Sequence, residues 1–404
     1  MVANGWQDIK LGEFVTLQRG HDLPEPQRSP GKIPVIGSFG ITGYHDKATT
    51  KGPGVTVGRS GASFGVTNYS AIDFWALNTA LYVIDFHGND EKFAYYFLKS
   101  IDFQRYNSGS AQPSLNRNFI HPISVKIPPL AEQKTIAHIL GTLDDKIELN
   151  QQMNQTLEAI ARALFKSWFI DFDPVRAKLD GRQPIGMDAE TAALFPAEFE
   201  DSALGKIPKG WKVGALGEEF KITMGQSPPG STYNAIGDGL PFYQGRSDFG
   251  FRYPSLRVFC NAPTRFAETG DTLVSVRAPV GDINMAHQKC CIGRGVAAIR
   301  HKQGSRSYSY YSMRSLSEHF AKFEAEGTVF GAISKQDFLK ILYLVPPQNL
   351  VSKFEELAYS LDQKVEIQEE QSFNLTSMRD ALLPKLLSGE ICVQDAETVV
   401  EAVV

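Results

Sequence analysis

From Ile136 to Trp168, apolar residues recur at alternating steps of four and three: Ile136, Leu140, Leu143, Ile147, Leu157, Ala161, Leu164 and Trp168, with Asn150 and Asn154 on the same stripe. Moving 218 positions on gives Phe354, Ala358, Leu361, Val365, Gln368, Ser372, Leu375, Arg379, Leu382 and Leu386. This period predicts two long helices, each with an apolar seam that wants a partner helix. Both seams turn polar at the same two steps. Polar groups in a seam cost stability but penalise a slipped register, where each would face a leucine. The natural partner of each helix is its own duplicate, and a pseudo-twofold duplication sets the two antiparallel. The competing arrangement has each helix capping its own domain. Two residues break the pattern. Gly141 costs about 1 kcal/mol inside a helix, and Pro384 ends or kinks the second one.

The duplication extends upstream. Trp6, Leu11, Gly12, Glu13 and Gly20 reappear as Trp211, Leu216, Gly217, Glu218 and Gly225, all 205 positions later. "KIPVIG" (32–37) answers "GLPFYQG" (239–245), and "VTVGRSGASFG" (55–65) answers "TLVSVRAPVG" (272–281), with Arg59 opposite Arg277. "YYFLKS" (95–100) answers "YYSMRS" (310–315), and "IPPLAEQ" (127–133) answers "VPPQNLV" (345–351). A period of this length is a duplicated domain, too long for a solenoid unit. Within each copy, short runs rich in Val, Ile, Tyr and Phe lie between Gly, Pro, Asn and Asp clusters, which predicts strands and turns. One short helical patch interrupts them. A Pro-Pro pair then precedes the long helix.

The expected fold class is therefore α+β, with two pseudo-twofold-related β-rich globular domains separated by an antiparallel pair of long coiled-coil helices. The boundaries read as domain one, 1–128; first long helix, 129–178; linker, 179–204; domain two, 205–345; second long helix and C-terminal region, 346–391; and a flexible acidic tail, 392–404. Some 35 helical residues would span about 50 Å.

The formal net charge of −4 over 404 residues hides an alternation. Residues 1–128 are net +2, 129–203 net −6, 204–345 net +7 and 346–404 net −7. The two β-rich segments suit a polyanion, and the two helical ones suit protein partners. No signal peptide and no membrane-length apolar run are visible. The four cysteines, Cys260, Cys290, Cys291 and Cys392, lack metal or disulfide spacing, so a reducing cytoplasm is expected. There is no Asn/Asp-Pro-Pro-aromatic methyltransferase motif, no phosphate-binding P-loop and no HExxH zinc motif. "FGITG" (39–43) reads as a turn, and "DFDPVR" (171–176) offers two carboxylates where a metal-dependent nuclease would also need a lysine at close spacing.

Three stretches carry a family resemblance: "IPPLAEQKTIAHILGTLDDKIELNQQMNQTLEAIARALFKSWFIDFDPVRAK" (127–178), "LFPAEFEDSALGKIPKGW" (194–211) and "RDALLPKLLSGEI" (379–391). With the layout, they resemble the specificity (S) subunit of type I restriction–modification enzymes. The resemblance implies a non-catalytic DNA sequence-specificity subunit. Each β-rich domain would be a target recognition domain reading one half of a bipartite site in double-stranded DNA. The coiled coil would set the spacing and dock two methyltransferase (M) subunits, through which motor-nuclease (R) subunits join. No cofactor is expected in this chain; S-adenosylmethionine, ATP and Mg would sit on partner subunits. The alternatives are a stand-alone nuclease or methyltransferase, and a coiled-coil scaffold.

Base edges are read mostly by Arg, Asn and Gln, and phosphates by Lys, Arg, Ser and backbone NH groups. In domain one this selects Lys51, Arg59, Ser60 and Ser63 in one glycine-rich loop, and Gln112, Asn116 and Arg117 in another. In domain two it selects Gln244, Arg246, Ser247, Arg252, Arg277 and Lys335. Arginine in both copies at the Arg59/Arg277 place suits either a shared phosphate contact or a structural salt bridge.

Overall fold

The computed structural model describes residues 5–109, 113–277, 279–325 and 331–404. The chain forms two compact units, Met1–Asn150 with Gln371–Val404, and Gln151–Glu370. Each unit therefore contains half of each long helix. Those helices run over Leu130–Phe169 and Gln348–Ser388.

The first unit has a four-stranded antiparallel sheet in the order Thr16–Arg19, Ala80–Asp85, Gly54–Gly58, Thr67–Ser70. A second sheet joins Gly40–His45, Ile33–Gly37 and Trp75–Ala76, the last pair parallel. Helix Glu91–Ser100, capped by Asp90, lays Phe93, Tyr96, Phe97 and Leu98 into the core. That core is continuous with Ile136, Leu140, Leu143 and Ile147 from one long helix and Leu375, Leu382 and Leu386 from the other.

The second unit repeats the plan. Its four-stranded sheet runs Phe220–Met224, Val296–His301, Thr272–Val276, Val280–Met285, and the same kind of parallel pairing joins Leu240–Tyr243 to Cys290–Ile292. Ala161, Phe165 and Trp168 from one long helix and Phe354 and Ala358 from the other enter its core. Phe354 meets Phe165 and Trp168 edge-on, with ring centroids 5.5 and 6.2 Å apart.

Every seam position is buried or half-buried. In the first unit, Asp144 pairs with Arg379 and Asn150 with Gln371 and Ser372, so one helix number rises as the other falls. The helices are antiparallel partners, and each half also caps the core of its own unit. The two arrangements weighed from the sequence are thus both realised. The polar seam step is a cross-helix bond: Asn150, 2% exposed, donates to Gln371 Oε1 at 3.0 Å and Ser372 Oγ at 3.3 Å.

Three expectations change. Pro384 does not end its helix, which continues to Ser388; it sits where the missing NH costs one bond near the helix end. The C-terminal residues are not a loose tail. Val393–Glu401 is helical, and Ala396 and Val400 are buried in the first unit's core. The first long helix stops at Phe169 rather than 178, and Asp173–Leu179 is a separate helix; within the linker, 179–204, Ala189–Ala193 is helical and Phe195 enters the second unit's core.

Replacing Asn150 by Ala should lower stability by about 1–3 kcal/mol, because it removes a buried bonded pair and leaves Gln371 short of a donor. Thermal or denaturant unfolding of the full chain would show it.

Candidate nucleic-acid interface

The repeated opening motif builds a turn that starts each sheet. Leu11 and Leu216 are fully buried in both copies. Glu13 accepts from the Lys10 backbone NH at 2.7 Å, and Glu218 from that of Ala215 at 3.4 Å. Gly12 lets His121 close in, where its Nε2 accepts from the Leu17 backbone NH at 3.1 Å. Burial, and then Arg117, push that imidazole's pKa down, which suits an acceptor role.

Gly20 and Gly225 end the first strand of each sheet at matched carbonyls. A Cβ on Gly20 would overlap the Leu77 oxygen, and one on Gly225 the Gly293 oxygen. Around this point the same bonds recur in both units. Gly20 donates to Ala80 and His21 to Ala76; Gly225 donates to Val296 and Gln226 to Ile292. Leu77 donates to Ile36, and Gly293 to Tyr243. Three loops are thus drawn to one end of each four-stranded sheet.

In the first unit this end carries His21, Ser38, Arg59, Ser60, Asn78 and Ser114. Ser38 Oγ donates to the carbonyls of Ser60 at 3.0 Å and Thr79 at 2.6 Å. Arg59, half-buried, donates to the Asn78 carbonyl at 3.2 Å. In the second unit it carries Gln226, Gln244, Arg277 and Arg294, all exposed. The segment following Gln244 turns through Arg246, which pairs with Asp282 at 2.7 Å, and Ser247. Lys335 is exposed in the first turn of the short helix Lys335–Lys340.

The bond pattern corrects the pairing of Arg59 with Arg277. Leu115 donates to the Arg59 carbonyl, whereas Ile333 donates to that of Val276. Ser60 bridges Ser114, whereas Arg277 bridges Ala332. Arg59 therefore occupies the place of Val276, and Ser60 that of Arg277. A shift of one residue in a strand turns a side chain to the opposite face, which is why Arg59 is half-buried and Arg277 exposed. Neither arginine forms an ion pair among the described residues, so the salt-bridge reading has no support.

Arg252 is the second correction. It has no exposed surface. Its guanidinium donates to Asp362 at 2.6 Å and the Tyr311 hydroxyl at 3.0 Å, and it lies 4.0 Å from the centre of the Tyr310 ring. Such a group cannot reach DNA in this fold. The remaining candidates separate into groups. Lys51 lies before the strand Gly54–Gly58 and Arg59 just after it, at opposite ends of a strand about 17 Å long. Ser63 is half-buried beside Arg59 and Ser60, Asn116 caps the short helix Arg117–Ile120, and Arg117 is exposed. Gln112 lies outside the described residues.

Asn78 and Arg294 were missed from the sequence. They hold matched places in "ALNTALYVI" and "CIGRGVAAI", and the paired glycines around Arg294 were the available signal. Beside this end, a cleft of about 1210 Å³ within the second unit is lined by Arg162, Arg246, Ser247 and Arg314 among others. Among the described residues no helix is long and apolar enough to cross a membrane, and no group of three or more His, Cys, Asp or Glu side chains could hold a metal ion.

These features meet a known family. Residues 3–159 match the family model described as the type I restriction modification DNA specificity domain. The chain is 33% identical over 287 residues to a protein of Methanocaldococcus jannaschii provisionally named the type I restriction enzyme MjaX specificity subunit, an alignment covering 70% of this chain and 63% of that one. It is 29% identical over 335 residues to the type I restriction enzyme HindI specificity subunit of Haemophilus influenzae, covering 69% of this chain and 71% of that one. In fold it resembles the crystal structure of a type I restriction–modification S subunit from M. genitalium, with a TM-score of 0.60 at 18% identity over 96% of this chain and 97% of that one. Residues 3–159 thus carry a type I restriction modification DNA specificity domain, and the chain is similar over about 70% of its length to type I restriction enzyme specificity subunits.

Exchanging Gly225 for Ala should disturb the second unit's loop cluster, since the new methyl meets three backbone carbonyls and no flexible side chain. Amide hydrogen exchange is expected to rise at 226–227, 243–245 and 293–295, with the first unit unchanged.

Proposed function

We propose that this chain chooses the DNA sequence on which a type I restriction–modification complex acts, with each unit reading one half of a bipartite duplex site. The observation that carries this reading is the loop cluster built twice on one plan but furnished differently. The backbone bonds repeat, while His21, Ser60 and Asn78 in one copy stand where Gln226, Arg277 and Arg294 stand in the other. A shared frame with exchanged side chains is what two readers of different sequences require.

Arg and Gln offer the bidentate contacts to guanine and adenine in the major groove. Exposed Gln244, Arg277 and Arg294 are thus assigned to the second half-site, with Arg246 and Ser247 beside them and Lys335 on phosphate. Ser60, Asn78, Asn116 and Arg117 are assigned to the first, with Arg59 and Ser63 supporting the loop and Lys51 on phosphate further off. The acidic helix pair sets the distance between half-sites and docks two methyltransferase subunits, which bring in the motor-nuclease subunits. Chemistry then belongs to those partners, with S-adenosylmethionine, ATP and Mg bound there, and this chain carries none.

The test is binding by the chain assembled with its methyltransferase subunits, using randomised duplex pools at several salt concentrations. A two-part consensus is expected, with affinity falling steeply as salt rises. Arg277→Ala and Arg294→Ala should each lose about 1–3 kcal/mol of base discrimination in one half only. Methyl transfer or cleavage by the purified chain alone would overturn the reading in favour of a stand-alone enzyme. Binding without salt dependence or consensus would favour a scaffold.

A further inference from the structure

A tyrosine–aspartate pair is repeated in both units. Tyr96 donates to Asp144 at 2.6 Å, and Tyr311, from the matched helix, donates to Asp362 at 3.1 Å. Each aspartate sits on a long helix and is neutralised by an arginine, but the arginine comes from different places. In the first unit it is Arg379, on the partner helix itself, 2.5 Å from Asp144. In the second, the place that matches Arg379 along the helix is Ala161, fully buried. The charge is supplied instead by Arg252, from the loop that follows Gln244, at 2.6 Å.

That loop has an inside and an outside. On its outer side, Arg246 and Ser247 are exposed. It is closed on itself by Arg257 on the buried Asp248 at 2.7 Å and by the Ser255 NH on the Asp248 carbonyl at 2.8 Å. At its base Arg252 reaches Asp362 of one long helix and Glu158 of the other, the latter at 3.4 Å. The next residue, Tyr253, donates its backbone NH to Glu369 at 3.2 Å. Burial opposes the charge on Arg252, yet Tyr310, Asp362 and Tyr311 outweigh it and hold the guanidinium firmly protonated. An ion pair in such surroundings adds less to stability than to uniqueness of placement, because any displaced position leaves charges unpaired.

We propose that Arg252 is a positioning residue for the second half-site: it pins the 244–257 segment to both long helices and so fixes where Gln244, Arg246 and Ser247 meet the bases. The inference rests on the DNA-reading role above. It makes the two readers mechanically unlike, since the first unit's arginine ties helix to helix and holds no reading loop.

The experiment compares Arg252→Met and Arg379→Met in the full chain assembled with its methyltransferase subunits, selecting from randomised duplexes and following thermal unfolding of the same samples. Arg252→Met should weaken base discrimination about tenfold in the half read by the second unit, the worth of one base contact, and leave the other half intact. Arg379→Met should lower the melting temperature and leave both consensus halves unchanged. Arg252→Lys, which keeps charge but loses the planar fork, should fall between wild type and Arg252→Met. Should Arg252→Met fail to fold, Tyr311→Phe carries the test, with a smaller loss confined to the same half. Unchanged discrimination in the folded Arg252 or Tyr311 variant, or equal loss in both halves, would overturn the proposal. A wild-type complex with no sequence preference would instead defeat the DNA-reading role on which it rests.

Discussion

A helix of about forty residues with a mostly apolar stripe needs that stripe covered, and in this chain the cover is a second copy of the same helix. The rest follows from this pairing. The apolar steps supply the attraction, and the polar step, Asn150 against Gln371 and Ser372, makes one alignment better than its neighbours. Because the helices are antiparallel, the start of one and the end of the other finish the first unit's core, and the remaining halves finish the second. Neither β-rich domain closes its own hydrophobic interior without them.

The same pairing explains how recognition could diversify without loss of fold. The conserved geometry lies in backbone contacts: glycines at 20 and 225 allow two loops to touch, and main-chain bonds draw the others in. Exposed side chains at that end of the sheet contribute little to either core. They can change while the frame stays put, and recognition can differ between two copies of one domain.

The seam was legible in the sequence because heptad spacing is a local signal, and every position named from it proved buried or half-buried. The duplicated strands were legible for the same reason. The single-residue offset between Arg59 and Arg277 was not, since an alignment of similar letters cannot see which carbonyl a strand residue faces. Arg252 escaped because its partners, Glu158 and Asp362, lie 94 and 110 positions away, and an arginine between glycine and aromatic residues reads as exposed. The C-terminal helix was hidden by acidic composition, although Ala396 and Val400, four apart, already marked one buried face.

Each β-rich unit is proposed to read DNA by itself on a shared helical frame. Exchanging residues 1–125 for the matching module of another family member, and mapping methylated sites in a host carrying the hybrid with its partners, tests it most directly. A new first half of the recognised sequence is expected, with the second half and the intervening length retained. A hybrid complex that altered both halves, or kept both, would contradict it.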